Sequence, residues 1–139
     1  MPEPAILSAV GNTPLVRLAA AGQGHSAQIL AKLESRNPRG SSKDRIARYV
    51  LQEALHTRRL GPGGTVVEFS SGNTGIGLAM ACAALGLRAL IVTSAKISAE
   101  KLALLHSYGA VTVPGSGTWA SSLRRRPGPG SPPAILLTW

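Results

Sequence analysis

The sequence predicts an α/β protein, a parallel sheet with helices on both faces. Three observations predict it. Short β-branched runs alternate with stretches of helical period from residue 29 to residue 113. One of the helical stretches is apolar nearly all round, as a helix buried in the interior must be. Two segments rich in Ser, Gly and Asn fall where a strand hands over to a helix, the place at which such sheets bind ligands.

Residues 29–33 (ILAKL) are the first expected strand. Residues 43–60 follow as a helix with Ile46, Val50, Leu51, Ala54 and Leu55 at apolar spacing. Arg58 and Arg59 suit its C-terminal dipole, and Gly61 suits the position just past its end. Residues 65–69 (TVVEF), after the turn GPGG, are a β-branched strand. Residues 75–87 (GIGLAMACAALGL) are the buried helix, and residues 89–93 (ALIVT) the next strand. Ser98 caps a helix running to Tyr108, Gly109 ends it, and residues 111–113 begin one more strand. Strand–helix–strand repeats of this kind build a parallel sheet through right-handed crossovers.

A chain of 139 residues is one domain by length. Its composition breaks at residue 113. Five of the ten prolines lie in the last 26 residues, and that stretch has no helical or strand period. A folded body over 1–113 and a disordered Pro/Gly/Arg-rich tail over 114–139 are therefore expected. Of the net charge of +9, the body carries +6 and the tail carries +3 through Arg124, Arg125 and Arg126. The body's cations are spread out and lack interleaved aromatics, so no nucleic-acid partner is expected. Binding of nucleic acid through the basic tail is the weakest of the functional readings.

Cys82 is the only cysteine, which excludes an internal disulfide and a multi-cysteine metal site. Set in GLAMACAALGL, it reads as a small core hydrophobe. His25, His56 and His106 have no metal-ligand spacing, and no metal is expected. The N-terminus has no basic segment followed by a long apolar one, and no apolar run reaches membrane-spanning length. The expectation is a cytoplasmic protein without a membrane partner.

Chemistry concentrates at the two strand-to-helix segments. In SRNPRGSSKDRIARYV (35–50), Lys43 stands at the first turn of a helix, where a cation is disfavoured by a few tenths to about 1 kcal/mol. Either it is a solvated surface residue, or it serves as a neutral amine able to attack a carbonyl. In SSGNTGIG (70–77), Gly72, Gly75 and Gly77 are spaced G-x-x-G-x-G, which is neither the dinucleotide fingerprint nor a P-loop. It is still suited to an anion: glycines admit close approach, Ser70, Ser71 and Thr74 can donate, Asn73 adds an amide, and a helix N-terminus follows. An amine and an anion cradle in one crevice would hold a carbonyl cofactor and a substrate carboxylate.

GNTPLVRL (11–18), ESRNPRGSSKDR (34–45), EFSSGNTGIGLA (68–79) and KISAEKLALLHSYGA (96–110) together resemble the pyridoxal-phosphate enzymes of the cysteine synthase and cystathionine β-synthase family, the fold-type II, tryptophan synthase β-like group. The resemblance implies pyridoxal 5′-phosphate as cofactor and Lys43 as the residue forming its Schiff base. It implies that Asn73 bonds the cofactor's 3′-oxygen, and that Ser70, Ser71, Gly72 and Thr74 take the substrate's α-carboxylate. Gly72-Asn73-Thr74 is similar to the β-replacement branch, whereas relatives that mainly eliminate water tend to carry Gly-Asn-His. Phe69, Ser70 and Ser42 depart from the residues common in the family, and Ser42 is expected to cap the helix instead. The implied reaction is replacement at the β-carbon of a small amino acid such as serine, acetylserine or phosphoserine, in a chain that self-associates as homodimeric members do.

The resemblance stops near Val113, and members are about twice this length or more, two domains on size. The tail offers no second glycine-rich loop for a cofactor phosphate, since residues 114–117 are too short, and Ser121 and Ser122 lie in unpatterned sequence. Its Arg, Pro, Gly, Ser and Ala content is what a GC-rich gene encodes out of frame. The sequence thus supports a cysteine synthase-type enzyme, or alternatively a truncated, non-catalytic remnant that keeps the fold without the phosphate anchor.

Overall fold

The computed structural model describes residues 3–18, 24, 28–115 and 134–137. In chain order they form α1 (Ala5–Ser8), β1 (Leu15–Arg17), β2 (Leu30–Lys32) and a one-turn 3-10 helix (Glu34–Arg36). There follow α2 (Lys43–His56), β3 (Thr65–Phe69), α3 (Asn73–Leu85), β4 (Arg88–Thr93), α4 (Ala99–Ser107), β5 (Val111–Pro114) and β6 (Ala134–Leu136). A parallel sheet in the order β5-β4-β3-β6 is flanked by helices, which is the α/β class expected. Thr65 faces Arg88 and Phe69 faces Val92, so β3 and β4 finish nearly level. The segments leaving their carboxyl ends, 70–72 and 94–98, therefore emerge side by side.

Two expectations change. The run 29–33 does not join the parallel sheet; Leu30–Lys32 pairs antiparallel with Leu15–Arg17 in a separate two-stranded sheet. Three residues after Pro14 carry too little period to announce β1, and the pairing is fixed by backbone bonds at its two ends. Leu18 N–H donates to Ile29 O and Leu33 N–H to Pro14 O, each at 2.9 Å. The tail also contributes an element that composition hides, because Ala134–Leu136 lies parallel to Thr65–Val67 as β6. It satisfies backbone groups that β3 would otherwise leave open at the sheet's edge. Ser121, Ser122, Arg124, Arg125, Arg126 and His25 lie outside the described residues.

Burial of the residue after each turn decides where the helices stop. α2 ends at His56, before the expected residue 60, because Leu60 folds back into the core. Leu60 is 1% exposed and donates its N–H to Ala54 O at 3.0 Å, while Arg58 takes the left-handed conformation at φ 57°. Gly61 is not needed there. α3 stops at Gly86 (φ 66°), and buried Leu87 donates to Cys82 O at 2.9 Å. α4 stops at Gly109 (φ 74°), and Ala110 donates to Leu105 O at 3.1 Å. At its start, Ser98 Oγ accepts the Lys101 N–H, the cap read from sequence.

α3 is buried from Gly75 through Cys82, in keeping with its all-round apolar sequence. The stripe that α2 buries is Asp44, Ala47, Leu51 and Ala54; Ile46, Val50 and Leu55 are only partly covered. The stripe is rotated from the expected one because α2 packs on a surface of α3 made of small residues. There a short side chain permits an approach that Ile or Val would block. Cys82 is a core residue as expected, and burial pushes its thiol up to about 12. No helix among the described residues is long and apolar enough to cross a membrane.

Candidate active site

Lys43 is the first residue of α2. Its backbone N–H donates to Ser41 Oγ at 3.2 Å, and the next two N–H groups, of Asp44 and Arg45, reach Ser41 O and Ser42 O at 3.2 and 3.3 Å. Ser42 occupies the cap position in a helical conformation (φ −61°, ψ −17°) and makes no side-chain cap bond. The expected capping hydroxyl is thus supplied one residue earlier, by Ser41, because a helical Ser42 cannot turn its side chain back onto the N–H groups ahead of it.

The two residues after Lys43 are anchored from below. Asp44 is wholly buried; its Oδ2 accepts the Arg39 N–H at 2.7 Å, while its Oδ1 has no partner among the described residues. Burial pushes the Asp44 carboxyl up, opposed by that N–H and by the Arg39 guanidinium. The guanidinium itself lies over the Tyr108 ring, 5.4 Å from its centre. Arg45 forks onto Glu34, with Nε to Oε2 at 2.8 Å and Nη2 to Oε1 at 2.9 Å. Each Glu34 oxygen takes a second donor: Thr13 Oγ1 reaches Oε1 and Asn37 Nδ2 reaches Oε2, both at 2.8 Å. Asn37 Oδ1 accepts the Gly11 N–H at 2.9 Å, and Arg45 Nη2 also reaches Thr13 Oγ1 at 2.9 Å. One carboxylate therefore ties residues 11–13, the segment 34–37 and α2 together. Between these anchors Lys43 Nζ makes no hydrogen bond or ion pair among the described residues.

Lys43 also meets the second segment. A Cβ placed on Gly77 would lie 3.3 Å from Lys43 O and 3.5 Å from Asp44 Oδ1, so the start of α2 rests against α3 one turn into that helix. The contact at Gly77 thus sets the start of α2 against the first turns of α3, the helix that the segment 70–74 opens. In that segment Ser70 Oγ accepts the N–H groups of Gly75 (3.0 Å) and Gly72 (3.3 Å), and so satisfies the start of α3. Ser71 Oγ accepts the Ser94 N–H at 2.7 Å and fastens the segment to the loop after β4. Both serines spend their oxygens on holding the loop and keep a hydroxyl hydrogen to donate. Asn73 is exposed, Thr74 is half-buried, and neither side chain has a partner among the described residues. Their backbone N–H groups, in the first turn, have no acceptor within the helix. Gly72 opens onto free space where a Cβ would stand.

Sequence reasoning missed the roles of Thr13, Glu34, Asn37, Asp44 and Arg45. The available signal was opposite charge at Glu34 and Arg45 on either side of a Pro- and Gly-bearing loop, and an acid on the α2 face that period alone assigns to the core. Among the described residues no group of three or more His, Cys, Asp or Glu is placed to hold a metal.

A parallel sheet thus carries, at the packed starts of two helices, an amine with no partner among the described residues and a helix N-terminus of the kind that suits an anionic group. Residues 6–126 match the family of pyridoxal-phosphate dependent enzymes, and the chain belongs to that family. The match runs past Val113, where the quoted motifs end. The chain is 47% identical over 105 residues to N-(2-amino-2-carboxyethyl)-L-glutamate synthase of Ralstonia nicotianae, covering 76% of this chain and 31% of that protein. It resembles the crystal structure of cysteine synthase from Entamoeba histolytica at TM-score 0.82 and 30% identity, over 94% of this chain and 41% of that one. It also resembles a lysine-to-alanine mutant of O-ureido-L-serine synthase bound to O-ureido-L-serine, at TM-score 0.72 and 41% identity, over 85% and 37% respectively. The chain spans about a third to two-fifths of the length of these relatives.

Pyridoxal phosphate is the family's cofactor, and the residues present fit its reactive end: a primary amine and the Asn73 amide, neither with a partner among the described residues, and open space over Gly72.

In Gly77→Ala the new methyl meets the Lys43 carbonyl oxygen at 3.3 Å, and this crowding is expected to cancel or outweigh the gain of about 0.5–1 kcal/mol that Ala brings to a helix interior. Urea unfolding of the two proteins measures this, and a midpoint raised by the full helix gain would contradict the close approach.

The Glu34 carboxyl is held down from 4.5 to about 2, chiefly by its hydrogen bonds to Arg45, with burial opposing. A depressed carboxyl stabilises the folded state above 4.5, and that contribution disappears as pH falls toward about 2. The stability difference between the natural chain and Glu34→Gln should therefore shrink across this window in acid-unfolding curves.

Proposed function

We propose that the chain carries the amine and carboxylate-binding portion of an active site for β-replacement on a serine-type amino acid, the cysteine synthase type of reaction, with Lys43 as the lysine that binds pyridoxal phosphate. The observation that supports this most is the contrast within Lys43-Asp44-Arg45. Two of three consecutive side chains are fixed to the scaffold, and the third has no partner among the described residues, at a helix start whose backbone meets α3 at Gly77. The relatives compared above are named for making cysteine, O-ureido-L-serine and an N-substituted glutamate, which fits a shared amino-acid site with varied incoming groups.

In this proposal Gly72 and Thr74, with the hydroxyl hydrogens of Ser70 and Ser71, receive the substrate's α-carboxylate at the positive end of α3. Asn73 holds the cofactor's ring oxygen through its amide. Bound pyridoxal phosphate supplies the electron sink for charge that forms at the α-carbon. Lys43 Nζ takes the α-proton, which lets the β-substituent leave, and returns a proton to that carbon after a thiol or sulfide has added. The substrate is a small amino acid, the compartment is the cytoplasm, and the chain works as a self-associated assembly.

The test is the visible absorption of the purified chain titrated with pyridoxal phosphate beside Lys43→Ala. A saturable band that the variant lacks is the expected result. A spectrum identical in both proteins would overturn the assignment of Lys43 and leave a folded domain that does not hold the cofactor.

A further inference from the structure

We propose that Glu34 is a positioning residue for Lys43, acting through the Arg45 guanidinium; this rests on the reading of Lys43 as the reactive amine. The first turn of a helix is where the ladder is weakest and fraying begins. In α2 the side-chain support at the start is the Ser41 hydroxyl, which accepts the Lys43 backbone N–H at 3.2 Å and leaves the direction of the Lys43 side chain unfixed, since Ser42 makes no cap bond. That direction is set by the residues that follow Lys43. Successive side chains leave a helix about 100° apart, so Asp44 and Arg45 fix the turn in two directions and thereby set the third, which belongs to Lys43. Asp44 holds the loop through a single bond to the Arg39 N–H. Arg45 holds by a two-bond fork, and a fork constrains angle as well as distance.

Glu34 is the fixed end of that fork. Its two oxygens take four side-chain donors from Arg45, Thr13 and Asn37, and its backbone carbonyl takes a further bond from Asn37 Nδ2 at 2.9 Å. The carboxylate therefore cannot rotate without breaking contacts to three chain segments. Magnitude separates this role from ordinary stabilisation. The Arg45 and Glu34 side chains are 37% and 25% exposed, and ion pairs this open contribute about 0–1 kcal/mol. A displacement of about 1 Å at a reacting atom, by contrast, lowers a rate by roughly 100-fold. Removing the fork should cost little stability and much reactivity at Lys43.

The experiment exposes the full chain to pyridoxal phosphate, reduces the imines with borohydride and maps the labelled lysines by mass spectrometry. Lys96 and Lys101 serve as internal references. In the natural chain Lys43 is expected to label at least about 10-fold faster than either reference. Glu34→Gln and Arg45→Lys are each expected to slow Lys43 by roughly 10- to 100-fold, the range set by misplacement of the amine, with the references unchanged. The double variant should be no slower than the slower single one, as for two halves of one contact. Glu34→Asp, which keeps the charge, should recover part of the rate. Unchanged Lys43 labelling in both single variants would overturn the positioning role alone. Equal slowing at all three lysines in every variant, the conservative ones included, would also overturn it by revealing general loosening. A natural chain in which Lys43 labels no faster than Lys96 and Lys101 would overturn the catalytic reading itself, and this proposal with it.

Discussion

The distance at which α2 can lie against α3 governs the whole carboxyl end of the sheet, and Gly77 sets it. A Cβ there would press on the Lys43 carbonyl oxygen at 3.3 Å and touch the Asp44 carboxylate, and a longer side chain would have to displace them. Around that point the facing surfaces are built from small residues, with Ala47 and Ala54 on α2 and, on α3, Ala81 one turn beyond Gly77 on the same face, all buried. Small residues bury little area each, but they bring backbones close and place two helix starts side by side. A bulkier interface would hold the same helices further apart. On the reading proposed above, the site is a consequence of packing before it is a consequence of any catalytic side chain.

Close approach creates a second constraint. It buries the Asp44 carboxyl completely and leaves one of its oxygens without a partner among the described residues, a costly arrangement for a polar atom. The loop 37–42 answers part of that cost with the Arg39 N–H and the nearby guanidinium. The remaining polar groups of this region form a network centred on Glu34, in which donors and acceptors are almost fully matched. These contacts explain why the stretches 11–14 and 34–45, distant in sequence, behave as one structural unit. They meet on a single carboxylate.

Much of this was legible beforehand, for identifiable reasons. β3, α3, β4, α4 and β5 were readable because each carries either a β-branched run or a long apolar stretch closed by glycine, as at Gly86 and Gly109. Lys43 and the segment 70–74 stood out because hydroxyls, glycines and an amine are unusual together at helix starts. What could not be read depends on partners far along the chain. β1 and β6 are three residues each and exist only through pairing with β2 and β3. The rotated stripe of α2 follows from α3's small surface, which no period within α2 encodes. Ser70 and Ser71 looked like ligand donors, yet their oxygens are engaged in fixing their own loop. Glu34 drew no role from the sequence because nothing local reveals its four incoming donors.

The central claim is that Lys43 and the start of α3 form one site. The most direct measurement is an NMR titration of the isotope-labelled full chain with pyridoxal phosphate, following backbone and side-chain signals residue by residue. The account predicts that Lys43, Gly72, Asn73 and Thr74 shift together, with one dissociation constant, while Lys96 and Lys101 stay still. Shifts at Lys43 without the others, or shifts shared evenly among the three lysines, would contradict it.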